Sequence, residues 1–307
     1  MALHADIEHV LGLVAEAGHP ELCDLSPEAA RALFEKTMPV LDVKPLPVAR
    51  IEERRLRAGP ARFGLRIYTP EAEATALPVL LYYHGGGFVV GGLESYDAIC
   101  RALAVKAGVI VVSVDYRLAP EHPFPAAVED AVAALEWAQV SASAIGGIPG
   151  RLAVAGDSAG GNLAAVAAQA ARPRGIELAL QALVYPVVGG APETASHHAF
   201  AEGYLLTRRN ILWFYGHYGA DPQDPRFAPL LADDLAGLAP ALVIVAGYDP
   251  LHDEGVAYAE RLRDAGNRVT LADYPDMVHG FMSLSDAVAD GARALDQVAD
   301  AVREAFG

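Results

Sequence analysis

Three side chains in this sequence have the types and the chain order that acyl transfer needs. Ser158 stands in Gly156-Asp157-Ser158-Ala159-Gly160, a G-x-S-x-G pentapeptide. Asp249 follows the apolar run of "ALVIVAGYDPLHDEG", and His279 lies in "LADYPDMVHGF". A serine hydroxyl is a poor nucleophile near neutral pH and needs a base that is itself held by a third group. Serine, acid, histidine is the order in which one strand-turn-helix scaffold presents such a triad. The pentapeptide alone is weak evidence, since it occurs by chance. Its context strengthens it: the strand-like "RLAVAG" precedes it and an alanine-rich helix former follows. Glycines remove side chains where strand and helix meet at a sharp corner, which lifts the hydroxyl above a sheet. A fourth part is His84-Gly85-Gly86-Gly87 after "PVLLYYH". Three consecutive glycines leave backbone N–H groups bare, able to point at a developing oxyanion. The competing reading of that run is a flexible turn.

Other acids compete with Asp249. Asp253 and Glu254 have the look of first-turn residues of a helix, where carboxylates favour the dipole; Glu254 is also placed to steady the acid loop. Asp276 precedes His279 on one loop. Among histidines, His122 between prolines reads as structural, and His197, His198 and His217 read as solvent-facing, with a place on the acyl-pocket wall as the rival. No His-Glu-x-x-His spacing occurs, so neither a metal nor a cofactor is expected. Phe88, Tyr185, Leu205, Leu206, Trp213 and Phe214 are candidates for a substrate-pocket wall, with core packing as the rival for each aromatic.

Such a site needs strands that end together. Short Val/Ile/Leu-rich runs start at Gly64, Pro78, Val109, Arg151, Leu178, Ala241 and Val269. They lack clean alternation, as expected of strands covered on both faces. Helical stretches are expected over Tyr96–Lys106, Pro125–Gln139, Ala159–Ala171, Asp253–Asp264 and Asp286–Ala305. Alternation of this kind predicts an α/β fold with a mostly parallel sheet flanked by helices. In such sheets ligands gather beyond the carboxyl ends of the strands. Residues 1–50 look helical, with Ser26-Pro27-Glu28 as a helix start. Residues 189–224 form an aromatic-rich insertion with no strand. These two segments are expected to make a helical cap, and residues 51–188 and 225–307 the catalytic core.

The 307 residues suffice for a sizeable core, and 53% hydrophobic with 20% charged residues suits an ordinary globular chain. A net charge of −16 with no basic run excludes nucleic acid as an expected partner. Cys23 and Cys100 lack metal-like spacing and suggest no disulfide framework, which fits a reducing compartment. The first residues carry Asp6, Glu8 and Glu16 and make a poor signal peptide, and no apolar run reaches the ~18 residues of a membrane span. A cytoplasmic location is expected.

"HGGGF" (His84–Phe88), "DYRLAPEHPFPAA" (Asp115–Ala127), "GDSAGGNLA" (Gly156–Ala164), "DPLHDEG" (Asp249–Gly255) and "HGF" (His279–Phe281) together resemble the hormone-sensitive-lipase-like serine esterases of the α/β-hydrolase fold, the bacterial family IV. The resemblance covers essentially the whole chain. It implies Ser158 as nucleophile, His279 as base and then acid, and Asp249 as the residue that orients the imidazole. It implies an oxyanion hole from the N–H groups of Gly86, Gly87 and Ala159, with Asp157 a marker of one branch and His84 in support. The substrate class implied is short- to medium-chain carboxylic esters cleaved through an acyl-enzyme. An amidase, a lactonase or a specialised deacetylase would use the same triad; a ligand-binding relative lacks the histidine that is present here. Some relatives dimerise through the C-terminal strand and helix, which makes that pair the candidate homodimer face. His252 departs from the arginine more usual in "DPLRDEG", which puts a local surface salt bridge in doubt.

Overall fold

The computed structural model describes residues 2–307. β-Branched and aromatic runs become strands because such side chains fit a pleated surface buried against neighbours. The strands are β1 Arg50–Ala58, β2 Ala61–Thr69, β3 Leu77–Tyr83, β4 Ile110–Asp115, β5 Gly147–Asp157, β6 Leu178–Val184, β7 Ala241–Tyr248 and β8 Val269–Val278. They form one sheet in the order β1-β2-β4-β3-β5-β6-β7-β8. β2 pairs antiparallel with both β1 and β4, and the neighbours from β4 through β8 run parallel. The expected mostly parallel sheet is therefore present. β1 has no counterpart in the sequence reading: it is RIEERRLRA, largely exposed, with no apolar run to announce it. Charge along an outer strand blunts the edge against pairing with other chains.

Successive residues of a strand face opposite ways. Along β3, Val79, Leu81 and Tyr83 join one apolar cluster, and Leu80 and Tyr82 the other. The first cluster is completed by helices α4 (Ala126–Ser141), α5 (Ala159–Ala171) and α8 (His252–Asp264), the second by α3 (Asp97–Ala107) and α9 (Ala289–Phe306). α5 is rich in alanine and glycine because it lies hard against the sheet. A Cβ at Gly160 would run into the backbone carbonyls of Tyr83 and His84.

The remaining helices are α1 (Ala5–Ala17), α2 (Pro27–Thr37), α6 (Ala195–Ala199) and α7 (Arg208–Tyr218). Ser26 caps α2 by accepting from the Ala29 N–H, as its sequence suggests, and Thr207 caps α7 likewise. The N-terminal segment and the insertion touch directly. Thr207 Oγ1 donates to Glu21 at 3.0 Å, Arg209 reaches Asp24 at 2.7 Å, and the Cys23 N–H donates to Asn210 Oδ1 at 3.1 Å. α2 is tied to the core by Arg31, which donates to the carbonyls of Val89 and Ala119, each at 2.8 Å. Among the described residues no helix is long and apolar enough to cross a membrane.

Candidate active site

β5 ends at Asp157 and α5 begins at Ala159, so Ser158 alone makes the turn. Its backbone sits at φ 55°, ψ −118°, a sparsely populated region for a residue with a side chain. The surroundings hold it there. The Ser158 N–H donates to the Val184 carbonyl at 2.8 Å, and the Ser158 carbonyl accepts from Val187 at 3.1 Å and Asn162 at 3.1 Å. The two acid–base partners arrive from the next strand ends. Asp249 follows β7 and His279 follows β8. His279 Nε2 lies 2.9 Å from Ser158 Oγ, and His279 Nδ1 lies 2.7 Å from Asp249 Oδ2. Asp249 is fully buried, and its other oxygen accepts from the Leu251 N–H at 2.8 Å. With Oδ2 accepting from Nδ1–H, the imidazole presents a bare Nε2 to the serine.

The rival acids point elsewhere. Asp253 accepts from the Ser196 N–H at 2.9 Å and meets His252 at 3.1 Å. Asp276 belongs to a cluster with His4 and Asp290, whose ligand atoms are close enough to hold a metal. There the His4 Nδ1 already accepts from the Asp6 N–H and Arg293 pairs with Asp290. His252, in place of the family's usual arginine, still reaches Asp253 and, at 3.7 Å, Asp273.

The glycine run after β3 curls beside the serine. Gly86 and Gly87 have φ of 114° and 59° and line the same cavity as Ser158. Their N–H groups bond no acceptor among the described residues. The Ala159 N–H is the first of α5 and has no partner within the helix. Asp157 anchors this loop, a role that the sequence reading did not assign. Its Oδ1 accepts from the Gly85 N–H at 3.0 Å and from Tyr82 at 2.8 Å, while Oδ2 accepts from Tyr96 at 3.0 Å. Burial pushes its carboxyl up to about 6, against the pull of those donors. His84 is buried and stacked on Tyr116, with ring centroids 4.2 Å apart, and burial pushes it down to about 4, so it is neutral. Its Nδ1–H donates to the Gly85 carbonyl at 2.7 Å.

The cavity encloses about 200 Å³. Of the six expected wall residues, Tyr185, Leu205, Leu206 and Phe214 line it. Phe88 does not: it is fully buried beneath the glycine loop, stacked on Tyr218 with centroids 4.0 Å apart. Trp213 does not either, because it turns toward the ring of His217 at 4.6 Å. Residues absent from the expectation complete the wall, among them Phe34 and Met38 from the N-terminal segment, and Val187, Tyr215, Leu251 and Ser283. Tyr185 sits at φ 34° with its ring 4.7 Å from that of His279, so a strained backbone wedges an aromatic face against the base. Of the three insertion histidines, His198 is exposed and His217 half-buried. His197, expected at the surface, is fully buried.

Asp42, on the stretch between α2 and β1, is a buried carboxyl whose Oδ2 has no hydrogen-bond partner among the described residues. Burial pushes it up to about 7. The folded chain thus holds a proton there that the unfolded chain, at an ordinary value of about 3.9, has released. This group's contribution to stability falls as pH rises from about 4 to about 7. Asp42→Asn is expected to melt above wild type by a margin that grows from pH 5 to pH 8, reaching about 2–4 kcal/mol. A margin that shrinks across that range in thermal melts contradicts the assignment.

Residues 80–283 match a family described by its alpha/beta hydrolase fold. The chain is 48% identical over 256 residues to the carboxylic ester hydrolase LipN of Mycobacterium tuberculosis, covering 80% of this chain and 68% of that one. It is 40% identical over 319 residues to an ethyl acetate hydrolase of Pseudomonas putida, covering 99% of each. Among solved structures, an ester hydrolase from the Lake Arreo metagenome, complexed with a bipyridine phosphonate derivative, superposes with a TM-score of 0.95 at 42% identity, covering 99% of each chain.

Proposed function

The chain belongs to the alpha/beta hydrolase fold family and is a carboxylic ester hydrolase of its hormone-sensitive-lipase-like branch; from that premise we propose that Ser158, His279 and Asp249 cleave short- to medium-chain esters through an acyl-enzyme. The observation that carries this reading is the 2.9 Å approach of His279 Nε2 to Ser158 Oγ, backed by the 2.7 Å contact with buried Asp249. Ser158 Oγ attacks the ester carbonyl as Nε2 takes its proton. The new oxyanion lies against the N–H groups of Gly86, Gly87 and Ala159. The fixed dipole of α5 adds positive potential at the same point. Collapse of the tetrahedral species passes the proton from Nε2 to the leaving alkoxide. Water, deprotonated by His279, then repeats the attack on the acyl-enzyme and frees the acid.

The segments 1–50 and 189–224 act in this reading as a cap that closes the cavity, which the contacts of Glu21, Asp24 and Cys23 with the insertion support. The small volume, about 200 Å³, and its apolar wall favour short acyl chains. The protein works in the cytoplasm on small-molecule esters, without nucleic acid as partner. The outer edge of β8 supports pairing of two copies, which sedimentation at two concentrations tests. The reaction itself is tested with p-nitrophenyl esters of increasing acyl length and matched anilides. The expected result is that kcat/KM peaks between C2 and C8 and that the anilides are poor substrates. Hydrolysis of none of these esters, or faster cleavage of the anilides, overturns it.

A further inference from the structure

Behind the triad acid lies a second acid–histidine pair that the reaction above does not use. Glu254, in the first turn of α8, is 1% exposed, and His197, on α6, is 0% exposed. Glu254 Oε1 accepts from the N–H groups of Val188 at 2.6 Å and Gly189 at 3.0 Å. Glu254 Oε2 faces His197 Nε2 at 3.5 Å, and neither atom has another partner among the described residues.

Counting hydrogens along the network shows what joins them. The Pro250 carbonyl can only accept, so Ser196 Oγ spends its hydrogen there, at 2.6 Å. Ser196 Oγ also accepts from the Asp253 N–H at 3.2 Å. The 2.9 Å contact between Ser196 Oγ and Thr194 Oγ1 then requires the Thr194 hydrogen. Thr194 Oγ1 has none left for His197 Nδ1, 2.6 Å away, so Nδ1–H is the donor in that contact. A neutral His197 therefore turns a bare Nε2 lone pair toward Glu254. An ionised Glu254 would add a second set of lone pairs in a buried site. One further proton between Oε2 and Nε2 turns that repulsion into a hydrogen bond.

We propose that Glu254, through a proton shared with His197, is a positioning residue of the esterase site, locking α6, the acid loop and the Val187–Gly189 wall together. The proposal rests on Asp249 as the triad acid. The same pair touches all three parts. Glu254 opens the helix that follows Asp249. Its Oε1 holds Val188 and Gly189, whose neighbour Val187 lines the cavity and bonds Ser158. His197 belongs to the segment that Ser196 ties to Pro250. Burial pushes Glu254 up to about 7 and His197 down to about 4, which puts the shared proton on the carboxyl. The charged groups facing the pair are Asp249 and Asp253 from the acid loop and α8, Arg208 from the start of α7, and His198 from α6. Tyr215 of α7 also faces Glu254 and stays un-ionised because burial holds its proton. Losing the shared proton leaves a buried negative charge beside Asp249 and replaces the α6–α8 hydrogen bond by repulsion, against which the Ser196 bonds to Pro250 and Asp253 alone hold α6. Substrate then meets a displaced wall, so KM rises.

Glu254→Gln separates this from a merely structural role. Its amide oxygen accepts from Val188 and Gly189, and its N–H donates to His197 Nε2 at every pH. The expected result is a wild-type KM for p-nitrophenyl butyrate that rises at least about threefold from pH 6 to pH 8.5, with the Gln variant flat at the wild-type low-pH value. Glu254→Ala raises KM at both ends of the range. Parallel KM profiles in wild type and Glu254→Gln, or a Gln variant as impaired as Ala, overturn the proposal. Nitrogen-15 NMR of the histidines in the wild-type protein needs neither variant. The expected His197 Nε2 signal shifts with a midpoint near 7 while Nδ1 keeps its hydrogen. A signal unchanged from pH 5.5 to 8.5 overturns it. That readout needs no turnover, so it stands apart from any failure of the triad reading.

Discussion

Ser158→Ala is expected to lower kcat for p-nitrophenyl butyrate by about 10⁶-fold, with KM moving less than about tenfold. Only Oγ carries the acyl group in this account. The rest of the corner survives its loss, because the bonds that hold residue 158 run through its backbone to Val184, Val187 and Asn162. Alanine suffers the same φ penalty as serine, so the variant should fold and still bind ester. The glycine-loop and α5 N–H groups remain, and a small rate above that in water remains with them. A variant that keeps more than about 1% of wild-type kcat would remove Ser158 from the chemistry.

Asp249→Asn should cost about 10⁴-fold in kcat. The reason is local. The Leu251 N–H already claims one oxygen of residue 249. An asparagine must give its oxygen to Leu251 and turn its NH₂ toward His279 Nδ1. The imidazole then carries its hydrogen on Nε2, where it cannot take the serine proton. Asp253→Asn, whose carboxylate serves Ser196 and His252, should change kcat by less than about tenfold. Steady-state kinetics on the two variants decide the acid, and the reverse ranking would assign the role to Asp253.

The proposed triad and glycine loop can be read from the sequence because they sit at strand ends, where a short run of Val, Ile and Ala stops against Gly, Asp or His. The strand-helix alternation that signals the sheet also tells where those ends gather. β1 carries no strand signal in the sequence because an exposed outer strand needs no apolar face, and RIEERRLRA has none. His197 looked like a surface residue in a polar stretch. Its burial depends on Glu254, which lies 57 positions further on and reaches α6 only after β7 and α8 are in place. Phe88 and Trp213 failed as wall residues for a matching reason. An aromatic beside a site can turn in either direction, and the partner that decides, Tyr218 for one and His217 for the other, is a matter of packing. Asp157 read as a branch marker. Its three hydrogen bonds to Tyr82, Gly85 and Tyr96 are long-range, and no local pattern encodes them.

In the proposed reaction Ser158 is the one activated nucleophile of this chain. A fluorophosphonate ester, which phosphonylates an activated serine and stops at the tetrahedral stage, tests it directly when labelled protein is digested and sequenced by mass spectrometry. The expected result is one adduct, on Ser158, formed at a rate that His279→Ala reduces sharply and absent from Ser158→Ala. An adduct on another residue, or an unlabelled protein that still hydrolyses esters, would contradict it.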